Sequence, residues 1–507
     1  MTDPTTGRRW IDAAAELTPE TRLFIDGDFQ PARDGATFDS LSPRDGRLLC
    51  RVSSAGVADV DDAVRAASRA FDSGVWSRAD RRERARVLTR LSDLMLENLD
   101  ELALLESLDS GHPIGDARRV DVPQAARTMR WYAEAIDKIY DEVAPTAHSA
   151  LALITREPLG VVGAVVPWNY PLIITAWKIA PSLAAGNSVV LKPAELTSLS
   201  ALKLAQLAAE AGIPAGVFNV VPGLGPVAGQ SLGRHPLVDK ITFTGSPAVG
   251  RGFLTYSGES NGKQVALELG GKSAQVVLAD TGDLAACAEA VAWGIFYNAG
   301  QTCHGGSRLI VDERVHDELV ERVLGVGRSL ILGDPLDEAT QIGAIASERQ
   351  LERVLGYTDI ARTEGAVVHG GGRVRPDGLS DGYYVEPTVF DGVDNTSRIG
   401  QEEIFGPALA VTTVRGAAEA VRVANESPYG LAASVWTSDL TTAHTAAREL
   451  RAGTVWVNTF DASDIVTPFG GFKDSGSGRD RSLHAFDAYT ALKTTWINLG
   501  SSALPTD

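Results

Sequence analysis

A chain of 507 residues with 44% hydrophobic and 22% charged residues has the make-up of an ordinary globular protein, and its length implies two to four domains rather than one core. A formal net charge of −18 argues against a polyanion such as DNA as partner, because phosphate recognition needs a basic face. Three cysteines cannot build a disulfide framework, the start MTDPTTGRRW has no apolar signal region, and no apolar run approaches the roughly 18 residues of a membrane span. A reducing, cytoplasmic setting with no membrane and no nucleic acid is expected.

In chain order, the first 20 or so residues are polar and irregular and are expected to form a loose arm. Helical periodicity begins at Asp59 in DVDDAVRAASRAF. It resumes after SGVWS in DRRERARVLTRLSDLMLENLDELALLESLDSG, where Gly111 is placed to end it and the Arg-rich first turn reads as a solvated face. From 151 the pattern changes to strand-like LALITREPLGVVGAVVP. Short apolar runs then alternate with helices: SVVLKP, ALKLAQLAAEAG, VFNVVPG, KITFTGS and VALELGG. This alternation predicts a parallel sheet with crossover helices, as in nucleotide-binding domains. A second α/β block opens near Gly271 with SAQVVLAD and a long helix, and ALKTTWINL near the end reads as an edge strand.

The long helix leads into FYNAGQTCHGG, 296–306, which sets Cys303 in a turn of small residues. Gly300, Gly305 and Gly306 leave room for close backbone approach and an open sulfur, which suits a nucleophilic thiol. Cys287 in an alanine-rich helix and Cys50 after RLL read as small buried hydrophobes. GLGPVAG, 223–229, fits a dinucleotide fingerprint on its own.

Six further motifs accompany the cysteine: PWNYPL (167–172), LKPAE (191–195), FTGS (243–246), LELGGKS (267–273), EEIFGP (402–407) and PFGGFKDSGSGRD (468–480). In this order they resemble the aldehyde dehydrogenase superfamily over nearly the whole chain. The resemblance implies an α/β fold with a Rossmann-like NAD-binding domain (21–138 and 160–270) and a second α/β catalytic domain (271–480). A small β oligomerisation element (139–159 and 486–501) would assemble a homo-oligomer, dimer or tetramer. The cofactor implied is NAD, held by Pro167, Trp168, Lys192, Glu195, Gly225, Gly245, Ser246, Leu269, Glu403 and Phe405; no metal is implied. Glu195 on the ribose hydroxyls would repel a 2′-phosphate, Ser246 would offer a helix N-terminus to the pyrophosphate, and Gly225 would lie towards the adenine.

The same resemblance implies that Cys303 attacks an aldehyde and that the side-chain amide of Asn169, with the Cys303 N–H, holds the oxyanion. Glu268 would activate water against the thioester and help form the thiolate, with Gly270 and Gly271 giving its carboxylate room to swing. Lys178 and Asp480 would support it, although the usual residue at 480 is Glu and the shorter Asp puts a relay role in question. Tyr170, Trp177, Tyr297, Phe460, Asp461 and Asp464 correspond to substrate-tunnel positions. The two mouth carboxylates suggest a cationic tail, and SGSGRDRSLHAFDAYTALKTTWINL resembles bacterial enzymes for γ-glutamyl-γ-aminobutyraldehyde, 4-guanidinobutyraldehyde and related aminoaldehydes of polyamine and arginine breakdown. Broad specificity for aliphatic or aromatic aldehydes is the alternative. A cysteine hydrolase or acyltransferase would need a His base, and His304, next to Cys303, is expected not to fold back onto the sulfur.

Overall fold

The computed structural model describes residues 4–500, with side chains from Arg9 onward. Two seven-stranded sheets form its frame. In the first, five parallel strands run in the order Gln264–Leu269, Lys240–Gly245, Val161–Val165, Ser188–Lys192, Phe218–Val220, and Leu23–Ile25 and Asp28–Gln30 extend it antiparallel. Chain order reverses on either side of Val161–Val165. The crevice between the ends of this strand and Lys240–Gly245 is therefore the topological switch point, where open α/β sheets take ligands.

The second sheet, from Val367–His369 through Ala274–Val277 to Thr454–Val457, is parallel apart from its first strand. A third sheet stands apart: Thr490–Asn498 pairs antiparallel along all of Ala150–Pro158, which also pairs Glu142–Ala144. The central strands of the two large sheets, among them Val161–Val165, Ser188–Lys192, Arg308–Asp312 and Ala432–Trp436, are buried on both faces, as covering helices require.

Three local expectations change. The first residues do not form a loose arm: Pro4–Glu16 is a helix, anchored by Trp10, which is buried in the core and donates from Nε1 to Glu338 at 2.7 Å. Residues 1–3 lie outside the described residues, as does residue 501 of the expected oligomerisation segment. The long helix before Gly111 is two, Arg81–Glu97 and Leu99–Ser110, parted at Asn98, and Gly111 does close the second with φ 79°. The Arg-rich first turn is not wholly solvated, since Arg84 is buried and donates to the Trp76 and Ala79 carbonyls.

Candidate active site

The helix Leu284–Phe296 starts at Asp283, whose side chain accepts from the Ala285 and Ala286 N–H groups, and it delivers the chain to the Cys303 loop. The loop turns through three left-handed residues, Asn298, Ala299 and Gly300. Such backbone costs energy and persists only where its surroundings hold it. Here Asn298 Nδ2 donates to the Asn169 carbonyl at 2.9 Å, and Asn169 Nδ2 donates to the Gln301 carbonyl at 2.8 Å. Gln301 Oε1 accepts from Ala346 N–H at 2.9 Å. The Cys303 and Asn169 loops are thus stitched together by reciprocal amide bonds, and sequence reasoning did not single out Asn298 or Gln301.

The glycines serve this packing rather than an open sulfur. A Cβ on Gly300 would lie 2.0 Å from the Gly406 carbonyl oxygen, and one on Gly306 would strike Gln275. The sulfur itself is accompanied. His304 does fold back, with Nδ1 3.8 Å from Cys303 Sγ, while its Nε2 meets Asp461 Oδ1 at 2.8 Å.

Glu268 ends Gln264–Leu269 and is 3% exposed, and neither carboxylate oxygen has a hydrogen-bond partner among the described residues. Burial, then the nearby Asp480, pushes its carboxyl well above the usual range, against the pull of Lys178. The room around it does not come from Gly270 and Gly271. A Cβ on Gly270 would strike the Glu403 carboxylate and one on Gly271 the Cys303 carbonyl, whereas a Cβ on Gly470 or Gly478 would come within 2.6 or 2.9 Å of Glu268 Oε1. Lys178 and Asp480 form a buried pair at 2.6 Å, so the short Asp side chain still spans the gap to the amine.

A cleft of about 1120 Å³ opens at the switch point. Asn169, Cys303, Phe405 and Glu403 line it, together with Glu195 and Ser246, and so do Pro167, Trp168, Gly245 and Leu269. Ser246 caps the twelve-residue helix Pro247–Gly258, accepting from Val249 N–H, and a Cβ on Gly245 would meet the Phe243 ring at 2.5 Å. Glu403 accepts from Gly271 N–H at 2.9 Å, and burial pushes it up to about 7. Phe405 is held at φ 62° with its ring edge-on to Trp168, 5.3 Å away. Lys192 does not line the cleft; it is buried behind Glu195, its Nζ 3.2 Å from that carboxylate, and burial lowers its pKa. Gly225 also lies outside the lining, and a Cβ there would meet nothing. A helix N-terminus, a half-exposed carboxylate and glycine-cleared backbone in one cleft fit a dinucleotide.

The expected tunnel residues belong to an aromatic network beside Cys303. Trp177 meets Phe469, Phe469 meets His304, His304 meets Trp456, and Trp456 meets Phe460, all at 4.7 to 6.1 Å. Tyr170 and Tyr297 pack on either side of His112, and Tyr170 shares a 2.7 Å hydrogen bond with Thr302. The mouth carboxylates are not free: Asp464 pairs with Arg127 at 3.0 Å and Asp461 with His304. A loop reading of residues 461–467 alone gives no sign of these partners, because Arg127 comes from a helix 337 residues away.

A model of the aldehyde dehydrogenase family matches residues 29–495. The chain is 50% identical to aminoacetaldehyde dehydrogenase of Pseudomonas aeruginosa, over 98% of this chain and 100% of that protein. It is similar to the crystal structure of γ-glutamyl-γ-aminobutyraldehyde dehydrogenase from Burkholderia cenocepacia, with TM-score 0.96 and 54% identity over 98% of this chain and 100% of that one. An indole-3-acetaldehyde dehydrogenase of P. syringae in complex with NAD+ and IAA matches with TM-score 0.96 and 51% identity, over 97% and 100% of the two chains.

Proposed function

This chain belongs to the aldehyde dehydrogenase family, and from that premise we propose that it oxidises an aminoaldehyde to its acid with NAD, through a thioester on Cys303. The observation that carries the reading is the single cleft running from Glu195 and Ser246 to Asn169 and Cys303.

Lined up there, Ser246 and its helix would hold the pyrophosphate, Glu195 the adenine ribose, and Glu403 with Phe405 the nicotinamide end. When bound, NAD accepts the hydride that converts a thiohemiacetal on Cys303 into a thioester. The chain's own groups do the rest. Cys303 Sγ bonds to the carbonyl carbon as the C=O π pair moves onto oxygen. Asn169 Nδ2 donates one hydrogen to Gln301 and keeps a second for that oxyanion, beside the Cys303 N–H, which has no partner among the described residues. Removing one such donor typically costs about a hundred- to a thousandfold in rate. Glu268 in its ionised form takes a proton from water as that water attacks the thioester carbon, the C–S bond breaks, and the acid leaves with Cys303 returned as thiolate; Lys178 with Asp480 sets the field in which it does so. Residues 21–138 with 160–270 would then be the NAD-binding domain, 271–480 the catalytic domain, and the third sheet the contact to a second copy of the chain.

The relatives that act on aminoacetaldehyde and γ-glutamyl-γ-aminobutyraldehyde support the substrate class. Free mouth carboxylates do not, since Asp461 and Asp464 are both engaged. One observation favours a second reading, an arylacetaldehyde: the aromatic network beside Cys303, together with the similarity to an indole-3-acetaldehyde dehydrogenase.

NADH absorbance across a panel of aldehydes, each with NAD and with NADP, tests these choices. Aminoacetaldehyde or 4-guanidinobutyraldehyde should exceed hexanal and indole-3-acetaldehyde in kcat/KM, and NAD should exceed NADP at least about tenfold. Glu195→Gln should narrow that cofactor gap. Preference for indole-3-acetaldehyde would install the second reading, and equal use of both cofactors would remove Glu195 from the ribose.

A further inference from the structure

We infer that His304 and Asp461 form a charge relay on the nucleophile, in which the His304 imidazolium holds Cys303 as a thiolate and Asp461 orients and stabilises that imidazolium. The inference rests on Cys303 being the nucleophile.

The geometry is that of a linked chain of three groups. One imidazole nitrogen, Nδ1, lies 3.8 Å from Sγ, within reach of a sulfur hydrogen bond, and the other, Nε2, lies 2.8 Å from Asp461 Oδ1. A carboxylate on Nε2 fixes which nitrogen faces the sulfur. The ring is clamped by Trp456 and Phe469 at 6.1 and 5.5 Å, and its side chain is only 14% exposed. Asp461 is itself held at φ 60°, a conformation that costs energy and so needs a reason. Burial works against charge on His304, but the Asp461 carboxylate, with Cys303, outweighs it and pushes the imidazole up to about 10.

Relative to the neutral pair, the S–H bond of Cys303 is broken and its proton sits in an N–H bond at His304 Nδ1, so that thiolate and imidazolium stand together with no net change of charge. The thiolate pair then attacks the aldehyde carbon.

Glu268 is poorly placed for that first step. Its carboxyl is buried towards Gly470 and Gly478, and neither of its oxygens has a hydrogen bond to Cys303 Sγ or to any other described group. Labour therefore divides: His304 charges the sulfur, and Glu268 serves the water.

The other titratable groups around the pair do not take over this role. Tyr170 and Tyr297 are driven far above their usual range by burial and stay neutral. Arg481, which senses Asp461, spends its guanidinium on the Asp464 carbonyl and Thr467.

The test is the pH profile of Cys303 alkylation by iodoacetamide, followed by peptide mass spectrometry on the full-length enzyme without cofactor. The unmodified enzyme should label Cys303 with a midpoint at least one pH unit below that of His304→Gln, whose midpoint should move towards about 8.5, the value of a free thiol. At pH 6 the variant should label at least about threefold more slowly, the roughly tenfold gain in thiolate from one pH unit being partly offset by its lower nucleophilicity. Asp461→Asn should shift the midpoint in the same direction by a smaller amount, and it decides the matter alone if His304→Gln does not fold. Profiles of both variants that overlay the unmodified enzyme would overturn the relay. Cys303→Ala separates the two levels: aldehyde oxidation by that variant would remove the nucleophile and the proposed mechanism with it. An inactive Cys303→Ala with unshifted profiles would remove only the relay.

Discussion

At the scale of the residue, Glu268 carries the clearest consequence of burial. Its folded-state pKa is raised by loss of solvent and by Asp480, so the native protein keeps a proton that the unfolded chain releases above about 4.3. Stability from this group is therefore fully present below that value and falls as pH rises towards the folded value, by up to about 1.4 kcal/mol per unit. Glu268→Gln has no such slope. The melting-temperature advantage of the variant over the unmodified protein should grow from pH 5 to pH 8, whereas a constant difference would mean that Glu268 is already ionised when folded.

Much of this residue-level chemistry was legible in the sequence. Cys303 stood apart because of its turn, and the structure separates it from the others: Cys287 is fully buried and pushed up to about 12, and Cys50 up to about 11. What the sequence hid were partners brought from afar. His304 looked sterically idle beside its neighbour, yet Asp461, 157 residues on, turns the ring onto the sulfur. Likewise the glycines that make room for Glu268 are 470 and 478, not the two that follow it.

Among elements, the alternation of short apolar runs with helices announced the parallel sheet, because a strand buried on both faces can only be an apolar run. The order of the strands, and hence the switch point that places Trp168 and Ser246 across one crevice, is a property of the crossovers and is not written in any single run. The helix Pro4–Glu16 was missed because its packed face is short and mostly alanine: Trp10, Ala13 and Ala14 meet the core, and Trp10 Nε1 donates to Glu338. The last strand, Thr490–Asn498, has eight of its nine residues exposed, among them Leu492 and Trp496 at 62% and 64%. An edge strand of this length with bare apolar side chains supports the proposed contact with a second copy of the chain. Sedimentation velocity at micromolar concentration should find a dimer or tetramer, and Trp496→Lys should move it towards monomer. A monomeric unmodified protein would leave the third sheet without its proposed role.

Across the whole molecule, the two large sheets meet at one cleft, so that residues from 167 to 480 converge on a single sulfur. The Asn169 and Cys303 loops hold each other, Glu403 rests on Gly271, and the Lys178–Asp480 pair stands behind Glu268. This convergence supports a covalent oxidation as the central claim, in which the proposed roles divide thioester formation from thioester hydrolysis. Rapid-quench mass spectrometry of Glu268→Gln mixed with NAD and aminoacetaldehyde separates those halves. The account predicts a burst of about one NADH per chain and an acyl group on the peptide carrying Cys303, persisting for the lifetime of the unhydrolysed thioester. Steady NADH production with no acyl group on that peptide would contradict it.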